Sequence, residues 1–467
     1  MSLRRLLVAN RGEIAVRVIR ACHELGIETV AAVSEADRDG LPARLADRAV
    51  CVGPPRAAHS YLNQNALLAA AIGTGCDAVH PGYGFLSENA AFAVACEEAG
   101  LTFVGPRGET VRTMGDKLAA RRLAERHGVP VVPGGGVPGG AADAAKAAER
   151  LGYPVLLKAA AGGGGRGIRV VRDPGELASA FAGAVAEAEA AFGDGTMYVE
   201  RYVPRGRHLE VQVFGDGTGG VVHLGERDCS AQRRHQKIIE EAPATGVPEA
   251  IRTGARSAAM RLAETIRYRQ AGTVEFIVDQ DRGEYYFLEM NTRIQVEHPV
   301  TEEITGIDLV RLQLRLAGGE PLPVEQRDVG FTGHAIECRI TAERPADGFR
   351  PSPGTITAWR PPSGTGIRLD THCEAGYRVP PYYDSMLAKL IVHGRDRADA
   401  TARTRAALAD FVIDGVDTNL AFLRAVLAHP DFAADQITTR WVDDAMKTGR
   451  LTEVSPAKTS PLSPRHQ

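Results

Sequence analysis

The sequence predicts an α/β fold that opens with a doubly wound parallel sheet and becomes α+β in its central and C-terminal parts. Strand and helix patterns alternate over residues 1–115, which is typical of a parallel sheet. The 51 glycines and the low aromatic content indicate α/β packing with functional loops, and 467 residues allow about three domains. The predicted strands cover 6–9, 28–33, 49–52, 77–80 and 102–105, with helices over 12–25, 65–72 and 88–99.

The composition excludes several classes of protein. A formal net charge of −3 gives no indication of a nucleic-acid partner or of an acidic membrane surface. Seven scattered cysteines without a Cys-x-x-Cys pair favour free thiols in a cytoplasmic protein. The first apolar stretch is too short for a signal peptide, and no apolar run approaches the ~20 residues of a membrane span.

Composition shifts divide the chain into four regions. We expect an N-terminal α/β domain over 1–115, a central domain over 116–330, a C-terminal domain over 331–450 and a disordered polar tail over 451–467. Glycine- and proline-rich stretches at 131–141 and 204–206 delimit a compact unit, about 132–203, that can move as a lid. Its predicted elements are helices 142–151 and 176–190 and strands 154–159, 168–171 and 197–200.

Two glycine-rich loops are candidates for ligand binding. The first, at 80–89, follows a predicted parallel strand, where such sheets bind ligands, and Ser87 or Glu88 can begin the next helix. A simple turn explains this loop equally well. The second, at 158–167, differs from a P-loop because Ile168 and a strand follow it, but we favour a phosphate-binding flap over a flexible linker. Lys117, at a predicted helix start, is a second phosphate candidate, although alone it would be an ordinary surface lysine.

The segment 289–297 alternates polar and apolar residues, which predicts a strand with one functional face. If the segment is extended, the five polar side chains point the same way, and Tyr285 and Phe287 continue that face upstream. A solvated sheet face would show a similar alternation. The five polar residues are Glu289, Asn291, Arg293, Gln295 and Glu297.

A hairpin turn at 281–283 strengthens the functional interpretation. It brings Glu275 opposite Glu289 to within one residue of register, and two like charges directly opposed destabilise a hairpin. A divalent cation between them removes the repulsion. With Asn291 these residues supply only oxygen ligands, which suit Mg²⁺ or Mn²⁺ bound together with a nucleotide phosphate. We therefore expect a metal–nucleotide site, followed by an anion site from Arg293 to Glu297.

Residues 226–237 concentrate basic and amide side chains, including Gln232, His235 and Lys237. A solvated basic patch or a nucleic-acid surface would look similar. Because the chain has no basic excess elsewhere, we favour the binding of a polyanion by a few well-placed cations.

Taken together, the motifs resemble biotin carboxylase, an ATP-grasp enzyme. The resemblance runs from about residue 3 to 445, and its long motifs follow the family's order. They are H-P-G-Y-G-F-L-S-E-N at 80–89, the glycine flap at 158–167, E-R-D-C-S-x-Q-R-R-H-Q-K at 226–237, E-M-N-T-R-I-Q-V-E-H-P-V-T-E at 289–302, G-H-A-I-E-C-R-I at 333–340 and P-P-Y-Y-D-S-M at 380–386. The resemblance implies a Rossmann-like domain over 1–115, an ATP-grasp domain over 116–330 and a biotin carboxylase C-terminal domain over 331–450.

The resemblance also implies an activity and its partners. The family carboxylates the ureido N1′ of biotin with ATP and bicarbonate, by way of carboxyphosphate, as the first half-reaction of an acyl-CoA carboxylase. The cofactors implied are ATP, two Mg²⁺ or Mn²⁺ ions, and biotin carried by another protein. The partners implied are a second copy of the chain in a homodimer, a biotin carboxyl carrier protein or domain, and a carboxyltransferase subunit.

Site residues are implied position by position. The ATP set is Lys117, Lys158, Gly163, Gly164, Gly165, Glu200, His208, Gln232 and His235, with Val203 near the adenine. The metal set is Glu275, Glu289 and Asn291, and the bicarbonate set is Arg293, Gln295 and the backbone of Val296. The catalytic set is Glu297 as general base, Lys237 facing the phosphoryl groups, Arg293, and Arg339 stabilising the biotin enolate beside Tyr83.

The chain departs from the family pattern in its flap, where Ala161 takes a glycine position and Ile168 a position where Met is common. Two other functions are consistent with parts of the pattern. One is a different ATP-grasp ligase that forms an acyl phosphate, such as carbamoyl phosphate, and the other is a nucleotide-binding protein without catalysis. Arg339 in its E-C-R-I setting favours biotin, and the presence of Glu297 favours catalysis.

Overall fold

The computed structural model describes residues 3–135, 139–160 and 168–451, so Ala161, the flap residues Gly163, Gly164 and Gly165, and the predicted tail from 452 lie outside the described residues. The N-terminal part is a five-stranded sheet with helices on both faces, which confirms the predicted doubly wound architecture. Its elements are β1 Arg5–Val8, α1 Gly12–Glu24, β2 Glu28–Ser34, α2 Leu41–Leu45, β3 Arg48–Gly53, α3 Gln64–Gly73, β4 Ala78–His80, α4 Ala90–Glu98, β5 Thr102–Phe103, α5 Gly108–Gly115 and α6 Lys117–Arg126. The strands are parallel in the order β3-β2-β1-β4-β5.

Two helix starts illustrate how local sequence sets these bounds. Helix α4 begins after Asn89, whose side chain accepts a hydrogen bond from the Phe92 N–H, and not at Ser87 or Glu88 as predicted. Because Asn89 caps the helix, Glu88 stays in the preceding loop, where its carboxylate contacts Thr292 and Arg293. Helix α6 begins at Lys117 as predicted, because Asp116 caps the N–H groups of Leu118 and Ala119.

The predicted lid is a small layer of two helices on a four-stranded sheet. Its elements are β6 Gly134–Gly135, α7 Ala141–Leu151, β7 Val155–Ala159, β8 Ile168–Val171, α8 Pro174–Phe192 and β9 Met197–Arg201, with the strands in the order β6-β9-β7-β8. A separate core of small and branched side chains, including Ala144, Ala148, Leu157 and Val199, holds this unit together. The predicted helices and strands of this region are confirmed to within a few residues.

The rest of the chain is organised by an eight-stranded sheet. The elements that follow β9 are β10 Gly206–Asp216, β11 Val221–Arg233, β12 Gln236–Ala242, α9 Glu249–Thr265, β13 Arg269–Asp279, β14 Glu284–Asn291, α10 His298–Thr305, α11 Leu309–Ala317, β15 His334–Thr341, β16 Glu343–Arg344, β17 Arg350–Pro351, β18 Gly354–Thr355, β19 Ala358–Arg360, β20 Ile367–Thr371, β21 Arg378–Val379, β22 Met386–Gly394, α12 Arg397–Asp410, β23 Val412–Asp414, α13 Leu420–Ala428, α14 Pro430–Ala433 and α15 Trp441–Lys447. The order β14-β13-β10-β11-β12-β15-β22-β20 carries the sheet across residue 330, where we placed a domain boundary.

Alternation along these strands separates a core face from a polar face. Val274 and Phe276 pack against α9 on one side of Glu275, and Cys338 and Leu390 pack under α12 and α13 in the same manner. The opposite face carries the charged residues described below. A strand that buries one face and keeps the other polar is suited to a binding site on its polar side.

The hairpin of β13 and β14 corrects one prediction and confirms another. Glu275 lies directly opposite Glu289, as predicted, but an irregularity after Glu275 leaves Leu288 without a partner. This bulge moves the side chains before it to the other face, so Phe287 packs in the core with Phe276 and does not share the face of Glu289. The prediction that Tyr285 and Phe287 extend the functional face is therefore wrong.

The predicted nine-residue strand at 289–297 is also wrong beyond its third residue. Strand β14 ends at Asn291, and residues 292–297 form a loop that leads into α10. Helix α10 begins at His298 with Pro299 in its first turn, where proline is tolerated, so Glu297 is the residue that precedes the helix. Arg293, Gln295 and Glu297 are therefore placed by a loop above the sheet and not by strand alternation.

Other sequence expectations are tested by simple observations. All seven cysteines are free thiols. None of the helices among the described residues combines the length and the apolar character needed to cross a membrane.

A buried ion pair joins the central strands to the C-terminal helices. The Arg397 guanidinium donates to both oxygens of Glu241 at 2.7 and 2.9 Å, and the His334 ring lies 3.0 Å from the same carboxylate. Although burial raises it, the hydrogen bond from His334 and the charge of Arg397 lower the pKa of Glu241 to about 2. The carboxylate is thus charged at neutral pH and depends on its partners.

We expect Arg397→Ala to destabilise the protein by roughly 3 kcal/mol, because it leaves the Glu241 carboxylate buried without its cation. The ion pair contributes its full stabilisation above pH 4.5, the ordinary pKa of a glutamate, and loses it as the pH falls toward 2. The difference in unfolding midpoint between Arg397→Ala and the wild type should therefore become smaller as the pH is lowered. Thermal unfolding midpoints measured across this range test both statements.

The control is Arg327→Ala, which removes the ion pair between Arg327 and Glu325. These two side chains are 79% and 67% exposed, respectively. Such a pair contributes little, so this variant should unfold at the wild-type midpoint. An Arg397→Ala protein that also keeps the wild-type midpoint would show that the pair does not stabilise the sheet junction.

Candidate active site

One cleft, with a volume of about 1380 Å³, gathers the predicted site residues. It lies between the predicted lid, the loop after β4 and the polar face of the eight-stranded sheet. Every predicted site residue within the described ranges lines it, whereas Gly163, Gly164 and Gly165 lie outside those ranges. The lining set is Tyr83, Lys117, Lys158, Glu200, Val203, His208, Gln232, His235, Lys237, Glu275, Glu289, Asn291, Arg293, Gln295, Val296, Glu297 and Arg339.

A row of charged residues, most of them below the residues that line the cleft, crosses the eight-stranded sheet in two parts, and its neighbours on adjacent strands pair in register. The first part runs across β14, β13, β10 and β11, and the second across β12, β15, β22 and β20. The first part is Glu289, Glu275, Glu210 and Arg227, and the second is Glu240, Glu337, Arg339, Lys389 and Asp370. Like charges directly opposed repel, so the row is stable only if other groups compensate it. We call this set the charged row.

Glu297 is buried between two cations of the cleft. Its two carboxylate oxygens accept hydrogen bonds from Lys237 at 2.7 Å and from Arg339 at 2.8 Å. Burial alone would raise its pKa, but the charges of Lys237 and Arg339 hold the pKa well below the ordinary carboxyl value. Although Glu297 occupies the N-cap position of α10, its side chain makes no capping bond, so the carboxylate serves the cleft.

Lys237 is the central cation of the site. Besides Glu297, its ammonium contacts Glu210 and lies 3.3 Å from Glu275. Burial lowers the pKa of Lys237, but these three carboxylates raise it well above the ordinary value. A charged ammonium where three carboxylates meet is suited to stabilise the negative charge of a phosphoryl group during its transfer.

Glu275 accepts hydrogen bonds from several donors. His208 Nε2 lies 2.8 Å from one oxygen, and Asn291 and Gln295 donate to the other at 2.6 and 2.8 Å. Burial raises its pKa, but the charges of Lys237 and His208 lower it below the ordinary range. The carboxylate is therefore ionised and held in a fixed orientation.

The predicted metal ligands meet at one end of the cleft. Glu289 faces Glu275 across the hairpin and lies 3.3 Å from the Lys117 ammonium. Asn291 accepts from Arg293 through its amide oxygen at 2.9 Å. Two opposed carboxylates with an amide oxygen form a donor set that fits a hard divalent ion, so these residues fit Mg²⁺ or Mn²⁺.

The loop 292–297 is anchored at each functional position. Arg293 Nε donates to Glu88 at 2.9 Å, and Glu88 also accepts the Thr292 N–H at 3.0 Å. The Gln295 amide oxygen accepts from Arg227, which is fully buried. The carbonyl of Val296 accepts from Lys389 at 3.0 Å. Arg293 and Gln295 thereby lie in the cleft although they do not share a strand face.

The remaining predicted nucleotide residues pair with one another. Lys158 lies 2.6 Å from one oxygen of Glu200, and Arg121 donates to the other oxygen at 2.7 Å. Burial lowers the pKa of Lys158, but Glu200 raises it, so the amine stays charged. His208 Nδ1 lies 2.6 Å from the Gln232 amide nitrogen. These pairs hold cationic and amide donors on opposite walls of one cleft.

Two predicted residues are placed by loops. His235 lies at the exposed turn between β11 and β12, where its φ of 65° is left-handed. Val203 is half-buried just before β10 and lines the cleft next to the predicted lid.

Tyr83 and Arg339 occupy the end of the cleft opposite the metal ligands. The Tyr83 hydroxyl donates to Glu13, at the start of α1. Arg339 Nε donates to Glu240 at 2.6 Å, and burial raises the pKa of Glu240 to about 7 in spite of this bond. The cleft thus has a metal and nucleotide end and a second end, with Glu297 between them.

Sequence reasoning missed the residues that hold the predicted ones in place. They are Glu13, Glu88, Arg121, Glu210, Arg227, Glu240 and Lys389. Of these, Glu88 and Arg227 lie in motifs that we singled out, Glu240 follows one of them, and Glu210 lies two residues after the predicted His208, so their polar character was a usable signal. Lys389 lies in an apolar strand, where one lysine among Leu387, Leu390 and Ile391 was the only indication.

Three family models cover most of the chain. The models described as "Biotin carboxylase, N-terminal domain", "Carbamoyl-phosphate synthase L chain, ATP binding domain" and "Biotin carboxylase C-terminal domain" match residues 2–111, 116–325 and 337–444. Biotin carboxylase 1 of Bacillus subtilis is 50% identical over 442 residues, which cover 94% of this chain and 98% of that protein.

A second relative and a solved structure agree with these matches. The biotin carboxylase of Nostoc sp. is 48% identical over 448 residues, which cover 96% of this chain and 100% of that protein. The crystal structure of the biotin carboxylase domain dimer of Hydrogenobacter thermophilus 2-oxoglutarate carboxylase, in complex with MgADP, ADP and bicarbonate, is 47% identical with a TM-score of 0.91. The match covers 96% of this chain and 98% of that one.

Proposed function

The chain belongs to the biotin carboxylase family, and from this premise we propose that it uses ATP and bicarbonate to carboxylate the ureido N1′ of biotin through carboxyphosphate. The observation that carries the proposal is the placement of Glu297, an ionised carboxylate buried between Lys237 and Arg339. The other proposed roles follow from the position of each residue along the cleft.

Between the two ends of the cleft, Glu297 acts as the general base. It takes the proton of bicarbonate, and the resulting oxygen attacks the γ-phosphorus of ATP, breaking the bond to ADP and forming carboxyphosphate. Arg293, Gln295 and the backbone of Val296 hold bicarbonate, and Lys237 offsets the charge of the transferred phosphoryl group. The lowered pKa of Glu297 keeps the side chain in its carboxylate form, which is the form that a general base requires.

The nucleotide residues and the metal ligands have separate tasks. Lys117, Lys158, His208, Gln232 and His235 are placed to hold the phosphates, and Glu200 with Val203 the nucleoside. We propose that the flap residues Gly163, Gly164 and Gly165 close over the phosphates. The divalent ions held by Glu275, Glu289 and Asn291 would neutralise phosphate charge when bound.

At the second end, Arg339 and Tyr83 are placed to bind biotin. Carboxyphosphate breaks down to CO₂ and phosphate, the released phosphate takes the N1′ proton, and the deprotonated nitrogen forms the new bond to the carbon of CO₂. Arg339 stabilises the enolate form of the ureido group that this step requires. The carboxylated biotin belongs to a carrier protein or domain, and the chain works as a homodimer with a carboxyltransferase partner that completes an acyl-CoA carboxylase.

The direct test is ATP hydrolysis by the purified chain. Hydrolysis should depend on bicarbonate and should accelerate when free biotin is added. Hydrolysis that responds to ammonia and not to biotin would instead indicate the carbamoyl-phosphate type of ligase. No hydrolysis, with normal binding of ATP, would indicate a non-catalytic nucleotide-binding protein.

Glu297→Gln should retain ATP affinity and lose bicarbonate-dependent turnover by roughly 100-fold or more, because the amide cannot accept the proton. Nucleotide binding by calorimetry and steady-state hydrolysis measure the two quantities. The matched control is Glu303→Gln, on the helix α10 that follows Glu297. The Glu303 carboxylate contacts Arg368 outside the cleft, so this variant should keep the wild-type turnover. If Glu297→Gln and the wild type have equal turnover, Glu297 is not the general base.

Glu289→Gln should raise the Mg²⁺ concentration needed for half-maximal hydrolysis by about tenfold, because it replaces a charged ligand with a neutral amide. Binding of Mn²⁺ in the presence of ADP, followed by electron paramagnetic resonance, gives a readout that does not require activity. Unchanged Mn²⁺ affinity would show that Glu289 serves only to pair with Lys117.

Arg339→Ala should preserve ATP binding and strongly reduce carboxylation of biotin, because the enolate loses its cation. Incorporation of labelled bicarbonate into free biotin measures this step. Arg339→Lys keeps the charge without the planar fork and should recover only part of the rate. If Arg339→Ala carboxylates biotin normally, the second end of the cleft is assigned wrongly.

A further inference from the structure

Lys389, on β22, reaches the catalytic loop from below the cleft. Its side chain is fully buried, and its ammonium donates to the Val296 carbonyl at 3.0 Å. The same ammonium lies 3.1 Å from Glu13 and 3.7 Å from Asp370. A buried lysine in an otherwise apolar strand destabilises the fold unless its partners compensate it, so its position requires an explanation.

The neighbour of Lys389 across the sheet is Arg339, directly opposite on β15. Two opposed cations repel one another, but here each holds one of two consecutive residues of the loop. Arg339 binds the Glu297 carboxylate at 2.8 Å, and Lys389 binds the carbonyl of Val296. Lys389 thus fixes the peptide plane that joins Val296 to Glu297.

Lys389 also contacts residues around Tyr83, at the proposed biotin end of the cleft. The oxygen of Glu13 that lies next to Lys389 is the one that accepts the Tyr83 hydroxyl. The ammonium lies 6.0 Å from the centre of the Tyr83 ring, within the range of a cation–π contact. One buried amine therefore contacts the residues that orient Glu297 and the residues that orient Tyr83.

The ammonium remains charged in this environment. Burial lowers the pKa of Lys389, but the carboxyl groups of Glu13, Glu337 and Asp370 raise it above its ordinary value. The contacts with Val296 and Glu13 are therefore charge-assisted hydrogen bonds, which are roughly twice as strong as neutral ones.

We propose that Lys389 is a positioning residue that holds the Val296–Glu297 peptide and Tyr83 in one arrangement, so that the bicarbonate and biotin subsites are set together. The inference rests on the proposed function of the cleft. Lys389 itself does not line the cleft, so it acts through Val296 and through Glu13.

The test is Lys389→Met, which keeps the apolar stem and removes the ammonium. The KM for bicarbonate, measured in hydrolysis without biotin, and the KM for free biotin should both rise by about tenfold or more, because displacements of ~1 Å have such effects. The Kd for ADP should stay within about twofold of the wild type, since Lys389 contacts none of the predicted nucleotide residues. A general loss of structure would change all three quantities together.

The matched control is Arg368→Met. It removes a half-buried cation that donates to the same carboxylate, Asp370, and that contacts neither Val296 nor Glu13. Its KM values should equal those of the wild type. If Arg368→Met and Lys389→Met raise both KM values equally, the effect comes from the loss of a cation beside Asp370 and not from the contacts of Lys389 with Val296 and Glu13. That result would overturn the inference.

Glu13→Gln gives a second, milder variant in case Lys389→Met does not fold. It keeps the shape of the side chain but weakens the link to Tyr83, so the KM for biotin should rise by roughly threefold to tenfold, and the KM for bicarbonate by less. Wild-type values for both KM in the folded variants would overturn the inference. If the wild-type chain itself shows no response to biotin, the proposed function fails and Lys389 is not at issue.

Discussion

The rest of the site depends on one constraint, which is that nearby cations must balance the negative charges of the charged row. Glu289, Glu275 and Glu210 stand in adjacent register on one sheet face, and Glu210 is fully buried. Carboxylates this close cannot all stay ionised without cations, and the fold supplies the cations from several parts of the chain. Lys237 comes from strand β12 and Lys117 from helix α6. The charge of Lys237 lowers the pKa of Glu275 and Glu297, whereas burial raises the pKa of Glu210 and raises that of Glu240 to about 7.

The same requirement explains why the site needs nearly the whole chain. Arg339, Lys389 and Asp370 lie on strands that follow residue 330, yet they continue the row begun by Glu289. From the N-terminal region, Glu13 and Glu88 reach the loop 292–297 or its anchors. The predicted lid contributes Lys158 and Glu200 from above. The cleft is therefore assembled from four regions of the chain, and Glu297 at its centre accepts hydrogen bonds from Lys237 and Arg339, which come from two of them.

Prediction from sequence worked where the pattern was local. The parallel sheet, the elements of the predicted lid and the register of Glu275 with Glu289 follow from alternation, turn residues and hairpin geometry. Prediction was wrong where one residue changed the geometry. The bulge at Leu288 turned Phe287 into the core, and the chain left the sheet after Asn291 to form the loop that leads into α10. A single unpaired residue reverses every side chain before it, and strand alternation in the sequence carries no sign of it.

The sequence by itself determined which chemical groups the site contains, because residue types and spacing specify carboxylates, amides and cations regardless of how the chain turns. Only the tertiary structure decided which group compensates which. Glu297 was visible as a candidate base, but its lowered pKa comes from Lys237, 60 residues earlier, and Arg339, 42 residues later. Lys389 could not be assigned at all, since its partners Glu13 and Val296 are close to it only after folding. Electrostatic compensation depends on distance in space, and distance along the chain does not reveal it.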